Sequence, residues 1–339
     1  MVSISQLQPR SSLIEGAFNS FVDQDVNLSP DTYRFGRQWR DYVIQRVEAE
    51  SGERGFPELL LGESFGAGSF GRKTKEQPLD DIDIYFVMSG GGLTMKQGDA
   101  RVPVELHGSG SGVLATDPLL LDGQWVSSAR ILARVAERVT EFGYESGVNT
   151  QGKSAYMKVS DTLNIDICPV LWASSTIGEV DRYYLPAGTG SYSWKKTDPR
   201  LDQARVTADN QTHSEKLLPV IRLMKWWNDN RNVGLQNKGW LKGIHLEVIV
   251  SDALRGRTID GIAPTMHVLF AELPALLDRG CPDPTGLGAA LDVNLSSGAR
   301  EHSKIALDRD KGYAALAANA LAANNGSGAL QYWRNVFPI

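Results

Sequence analysis

The sequence predicts an α+β fold in two lobes, and three observations carry that expectation. Up to about residue 200, short apolar runs bounded by glycine and proline alternate with helical periodicity, the pattern of a mixed sheet with helices. From about Leu201 onward the apolar spacing is helical almost throughout. Between the two regimes lies the polar, irregular stretch YLPAGTGSYSWKKTDP. The expected division is 1–200 for a sheet-bearing core with its N-terminal helices and 201–339 for a helical lobe, with a cleft between them.

Each element follows from local chemistry. A helix is expected over about 6–21. A second, clearer one runs from Pro30 to about Ser51: Ser29 is the N-cap, Pro30 suits the first turn, and Asp31 favours the positive end of the helix dipole. Trp39, Val43 and Val47 recur every four residues and give it one apolar face, and Gly52 and Gly55 end it. ELLLGESF after Pro57 reads as a strand, GAGSFGRKTK as a tight glycine turn opening a short helix, and LDDIDIYFVM as an alternating strand whose wholly apolar end is covered on both faces. Residues 89–123, broken by GGG and HGSGSG, read as a long loop. A helix over 125–142, strands in SAYMKVS and LNIDICPVLW, and then the helices of the second half complete the outline.

Composition narrows the function. Hydrophobic residues make up 42% and charged residues 22%, which fits a globular chain with a sizeable core. A net charge of -5 argues against a broad basic surface for DNA or RNA, though not against a small phosphate pocket. Two distant cysteines, Cys168 and Cys281, cannot build a zinc ribbon with five scattered histidines. No basic segment followed by an apolar run opens the chain, and no apolar stretch is long enough to span a bilayer, so a cytoplasmic protein with no membrane partner is expected.

The chemistry concentrates around Asp81 and Asp83. Strand alternation puts both carboxylates on one face, with Ile82 and Ile84 buried on the other. Two carboxylates on a rigid face can share hard cations such as Mg²⁺. Asp80 lies one residue out of register and receives no metal role. Taken alone, an acid–apolar–acid pair is more often a pair of solvated side chains, but two neighbours reverse that balance. One is the turn holding Gly68 and Ser69, whose N–H groups and hydroxyl can bind phosphate oxygens, with Arg72 and Lys73 immediately after. The other is Asp166, an acid between Ile165 and Ile167 in an apolar strand; if that strand lies beside the first, its carboxylate completes a metal cluster.

GSFGRKTKEQPLDDIDIYF resembles the motif of the DNA polymerase β-like nucleotidyltransferase superfamily: a Gly-Ser turn, an acid–apolar–acid strand about a dozen residues later, and a third acid on a later strand. Within that superfamily the chain is most similar to the cGAS/DncV-like nucleotidyltransferases, the CD-NTases of bacterial CBASS anti-phage systems. SWKKTDP resembles a W-x-x-T-x-P segment of those enzymes, VIRLMKWWN the helix whose lysine, here Lys225, reaches the donor triphosphate, and LKGIHLEVIV the next helix. The resemblance covers roughly residue 30 to the end.

It implies a bilobed enzyme that condenses ribonucleoside triphosphates such as ATP and GTP into a cyclic di- or trinucleotide with release of pyrophosphate. It further implies two Mg²⁺ (or Mn²⁺) ions on Asp81, Asp83 and Asp166, and an effector protein that senses the product. A linear oligonucleotide synthase, a single-nucleotide transferase and a non-catalytic nucleotide-binding module remain alternatives. Lys242, Gly243 and Ile244 stand where relatives carry serines and an aromatic, so Lys242 is the candidate for the lost phosphate contact. The cysteine-rich insertion of the animal DNA sensor is absent, and no DNA activation is expected. Tyr192, Trp194, Trp226 and Trp227 are candidates for base stacking, against the commoner role of core packing.

Overall fold

In the computed structural model, residues 4–91, 93–96, 104–108, 110–173, 182–188, 190, 192–231 and 241–339 are described. Helix α1 (Ile4–Phe21) continues into a π-helical turn (Val22–Val26), and α2 (Pro30–Glu48) follows. The Ser29 hydroxyl caps α2, accepting the Thr32 N–H at 3.1 Å, with Pro30 and Asp31 in the first turn as the sequence predicts. Strand β1 (Phe65–Ala67) leads through a single helical turn, α3 (Gly68–Gly71), to β2 (Asp81–Ser89). Then come β3 (Leu93–Lys96), β4 (Val104–Gly108), α4 (Val113–Thr116), β5 (Leu121–Asp122), β6 (Trp125–Val126) and α5 (Ser128–Glu141). The sheet is completed by β7 (Glu145–Val148), β8 (Ala155–Lys158), β9 (Asn164–Ala173), β10 (Arg182–Pro186) and β11 (Ser193–Thr197). The second half is α6 (Pro199–Thr212), α7 (Leu217–Arg231), α8 (Gly243–Leu254), α9 (Ile262–Arg279), α10 (Ser297–Ala322) and α11 (Gly326–Trp333).

The sheet runs in the order β1-β2-β9-β10-β11-β4-β6-β5, with β8 also paired to β9, β7 to β8 and β3 to β4. The long pairing at its centre, β2 with β9, is parallel and sets Asp83 opposite Asp166. A parallel pair needs a crossover, and α5 supplies one. On the α2 and α5 side Ile82, Ile84, Ile165 and Ile167 are fully buried with Val43, Val47, Ile131 and Val135. Each of these isoleucines contributes about 2 kcal/mol of burial. Their alternation obliges the intervening acids to face the other way.

A second core belongs to the helical half, and the N-terminus joins it. Ile14, Phe18 and Val22 pack with residues of α7, α8, α9, α10 and α11. Phe18 meets Trp333 and Phe337 edge-on, with ring centroids 5.1 and 5.5 Å apart.

Three expectations need correction. The run over 58–65 is not a continuous strand. Leu60 donates to the Val87 carbonyl (2.8 Å) and Ser89 to the Glu58 carbonyl (2.9 Å), but Gly62, at φ 77°, turns the chain away before β1 begins at Phe65. The stretch 89–123, read as a loop, carries β3, β4, α4 and β5, and its residues 92, 97–103 and 109 lie outside the described residues. The irregular stretch before residue 200 contains the antiparallel hairpin β10–β11. Glycine content masks strand pairing in both places, because a hairpin needs such residues at its turns as much as a loop does.

Candidate active site

Asp81, Asp83 and Asp166 converge. One carboxylate oxygen from each lies within 4.8 Å of the others, and all three side chains are partly buried. The register explains this: Asp83 and Asp166 are direct partners across the parallel pair, and Asp81 is one alternation earlier on the same face. None of the three has an ion pair among the described residues.

Crowding anions without a bound cation raises their proton affinity. Burial, then the charges of Asp83 and Asp166, push Asp81 up to about 7. Burial, then Asp166, push Asp83 up to about 6. Burial also raises Asp166, opposed by hydrogen bonds from Ser154 and Asn149 that favour its charged form. Lys75, the cation that tempers Asp81 and Asp83 both, is itself bound at 2.6 Å to Asp80. Asp80 therefore serves as the salt-bridge partner of Lys75, outside the triad, as its register predicts. A cluster of carboxylate oxygens with unmet charge suits a hard divalent cation.

Gly68 lies directly against the triad. Its φ is +59°, and a Cβ there would fall 1.6 Å from Asp83 Oδ2. Only glycine permits both the left-handed backbone and the close approach of the turn to the carboxylate. The turn is braced from outside by Gln203 of α6, whose amide donates to the Gly66 carbonyl at 2.6 Å. Ser69 is half-buried in α3, and its carbonyl accepts the Thr74 N–H at 2.9 Å.

Arg72 and Lys225 turn to a different task, at the seam between the lobes. Arg72 donates to both oxygens of Glu247 on α8, at 2.8 and 3.2 Å. Glu247 is fully buried and also accepts from the Thr74 hydroxyl at 2.7 Å. The Lys225 ammonium donates to the Thr74 carbonyl (2.8 Å), pairs with Glu76 (2.7 Å) and stands 3.9 Å from Glu247. Burial would raise the Glu247 carboxyl, but Arg72 leads a set of partners that hold it below its ordinary value. Sequence inspection missed Thr74, Glu76 and Glu247 as a unit, since Arg72 and Glu247 are 175 residues apart.

The other predicted residues divide. Lys73, at φ 62°, opens on a small pocket of about 210 Å³ with Lys75, Arg222 and Tyr33. Lys242 precedes α8 and is exposed. Trp194 and Trp227 are core residues with their ring N–H groups bonded to the Val126 carbonyl (3.0 Å) and Asp310 (2.8 Å). Trp226 packs edge-on against Phe21, and Tyr192 stacks on Trp125. Beside the triad, an open groove of about 750 Å³ is lined by Asp81, Asp166, Asn149, Tyr156 and Asn164 among others. Tyr156 is the cross-strand partner of Asp166.

No family model matches the chain. A curated protein named a probable cyclic nucleotide synthase, from Bacillus cereus (strain VD146), is 27% identical over 288 residues, 82% of each chain. Among solved structures, CdnC of E. coli MS115-1 with ATP superposes at a TM-score of 0.61, with 18% identity, covering 96% of this chain and 98% of that one. The same CdnC in complex with a HORMA protein gives 0.60 at 16% identity, covering 95% and 96%. The Vibrio cholerae di-nucleotide cyclase DncV, a point variant with ATP, GTP and 5MTHFGLU2, gives 0.60 at 14% identity, covering 98% and 88%. The resemblance drawn from the Gly-Ser turn and the three acids is thus borne out. The fold is that of CdnC and DncV, a mixed sheet with helices and a helical region at the C-terminal end. No helix among the described residues is long and apolar enough to cross a membrane.

Proposed function

We propose that this chain, a homologue of a probable cyclic nucleotide synthase with the fold of CdnC and DncV, is a metal-dependent nucleotidyltransferase that condenses ribonucleoside triphosphates into a cyclic di- or trinucleotide and releases pyrophosphate, in anti-phage defence. The observation that carries the reading is the packing of three mutually repelling carboxylates, none neutralised by an ion pair, against the Gly68 turn. Two divalent ions, Mg²⁺ or Mn²⁺, would be held by Asp81, Asp83 and Asp166. When bound they supply charge neutralisation on the phosphates and a lowered pKa at the attacking hydroxyl.

The chain's own residues do the rest. The Gly68–Ser69 turn holds the donor phosphates against the acids. Asp166, at the border of the open groove, orients the acceptor ribose hydroxyl for in-line attack on the donor α-phosphorus. The Asn149, Tyr156 and Asn164 side chains of that groove position the acceptor. The Arg72–Glu247 pair keeps the catalytic turn fixed to the helical lobe while this happens. The product then acts through a separate effector protein.

The test is incubation of the purified protein with all four ribonucleoside triphosphates and Mg²⁺ or Mn²⁺, followed by phosphatase treatment and mass spectrometry. A phosphatase-resistant cyclic product from wild type, absent from Asp81→Ala/Asp83→Ala, is expected. Linear products alone would move the function to a linear oligonucleotide synthase on the same fold. The absence of both turnover and metal-dependent triphosphate binding would overturn the reading.

A further inference from the structure

The cavity of about 210 Å³ onto which Lys73 opens takes no part in the chemistry above. Lys73, Lys75 and Arg222 line it together with Asn27, Tyr33 and Phe70. None of the three catalytic acids borders it, whereas Asp81 and Asp166 border the open groove. Phe70 is buried with Ile82 and Ile84, on the face of the sheet opposite the acids, and its ring lies 5.0 Å from that of Tyr33 on α2. The cavity is therefore behind the catalytic turn. One of its walls is the segment 72–77, which joins that turn to the strand of Asp81 and Asp83. The segment is pinned from both sides: Lys225 holds the Thr74 carbonyl at 2.8 Å, and Gln77 donates its N–H to the Val26 carbonyl at 2.9 Å.

The cations around this cavity are poorly compensated. Arg222 of α7 donates through Nε to Asn27 Oδ1 and through Nη1 to the Lys73 carbonyl, both at 2.7 Å. Both acceptors are neutral, no carboxylate pairs with Arg222 among the described residues, and its third nitrogen has no hydrogen-bond partner among them. Lys73 has neither an ion pair nor a side-chain hydrogen bond among the described residues. Its backbone is at φ 62°, a conformation that disfavours any residue with a Cβ, and the Arg222 bond to its carbonyl fastens it there. The Lys75 side chain is only 12% exposed and pairs with Asp80 at 2.6 Å. Glu76 and Asp23 also act on Arg222, but Glu76 pairs with Lys225 and Asp23 accepts from the Asn27 amide at 3.2 Å.

Three cations thus share one cavity with a single paired carboxylate, that of Asp80. Like charges gathered in this way repel unless an anion joins them. A guanidinium with a spare nitrogen and two ammonium groups suit a tetrahedral oxyanion, which accepts several charge-assisted hydrogen bonds at once. The cavity is below the usual size of a site for a whole nucleotide, so its occupant is a phosphate alone or one carrying a small group.

We propose that Lys73, Lys75 and Arg222 form a phosphate site behind the catalytic turn, for inorganic phosphate or the phosphate of a small ester, separate from the floor of the cleft. An anion bound there clamps the segment 72–77 and so gives phosphate compounds a hold on the backbone that connects the Gly68 turn to the acids. The site goes beyond the nucleotidyltransferase reading and does not depend on it.

The test is calorimetric titration of the full chain with inorganic phosphate and, separately, with ribose 5-phosphate, in chelator so that no divalent ion takes part. Wild type is expected to bind one anion per chain. Tighter binding of ribose 5-phosphate would assign the site to small esters, and tighter binding of phosphate to the free anion. Lys73→Gln/Lys75→Gln should weaken the affinity roughly ten- to hundredfold, while Lys73→Arg/Lys75→Arg, which keeps the charges, should recover most of it. Asp81→Asn/Asp83→Asn should bind as wild type does. Phosphate should also slow amide hydrogen exchange in the segment 72–77 of wild type and not of the glutamine variant. No saturable binding by wild type, unchanged affinity in the glutamine variant, or loss of binding in the asparagine variant would overturn the proposal. A chain that binds phosphate here and makes no oligonucleotide would sink the catalytic reading alone and leave this one standing.

Discussion

The floor of the cleft and the seam between the lobes are built from the same residue types and behave as opposites. On the floor, three aspartates face one another without an ion pair; burial raises all three, and repulsion from neighbouring acids adds to it for Asp81 and Asp83. At the seam, Glu247 is more deeply buried, yet Arg72, Lys225 and Thr74 hold its carboxyl below its ordinary value. Burial acts in the same direction in both places, so partners decide the outcome. A buried acid with its partners in place is a strut. Clustered acids without a cationic partner suit a hard divalent cation. Arg72 and Lys225 belong to the seam, committed to protein carboxylates.

The sharpest way to break the comparison is to remove one acid from each region. Asp83→Asn should lower turnover by about a thousandfold or more, the several kcal/mol that metal ligation supplies, while the metal-free protein melts no lower than wild type. Turnover assays and calorimetry on the same samples check both halves. Glu247→Ala should do the reverse in stability: it leaves Arg72 buried without its partner and should cost about 3–5 kcal/mol in denaturant unfolding. Equal destabilisation by the two substitutions would end the distinction between strut and site.

Gly68→Ala sits between these extremes. A side chain at φ +59° costs about 1–2 kcal/mol of backbone strain, and its Cβ displaces the Asp83 carboxylate. Turnover should fall by roughly a hundredfold through misplacement of that group, with a melting temperature lowered by a few degrees. A Gly68→Ala enzyme with wild-type turnover would show that the turn does not set the position of Asp83.

Legibility in the sequence followed the range of the forces. The triad was readable because strand alternation has a period of two: Asp81 and Asp83 had to share a face once Ile82 and Ile84 were buried, and Asp166 announced itself between two isoleucines. Ser29 as a cap was readable because capping acts over three residues. The destinations of Arg72 and Lys225 were not, because Glu247 is brought to them by the docking of two lobes. The helix α1 was expected, but its apolar face does not say which core will receive it; Phe18 meets Trp333 and Phe21 meets Phe337, both from the far end of the chain.

The smallest expected effect is a pH dependence that the two regions impose in different windows. Asp81 and Asp83 bind protons more tightly folded than unfolded, so between about pH 4 and pH 7 the folded state holds more protons than the unfolded one. Stability follows the difference in protons bound, unfolded minus folded, which is negative here, so the metal-free protein should lose stability as pH rises through this window. Glu247 works the other way: its contribution is complete above its unfolded value of 4.5 and is lost only as pH falls below it. Calorimetric scans without metal should therefore show a decline on the order of 1–2 kcal/mol from pH 5 to 7.5, after allowance for partial exposure of the triad. Saturating Mg²⁺ should abolish or invert that slope, because the cation favours the charged carboxylates, and Asp81→Asn/Asp83→Asn should flatten it with or without metal. A slope that survives in the double variant would assign it to groups outside the triad and leave the floor of the cleft no less compensated than the seam.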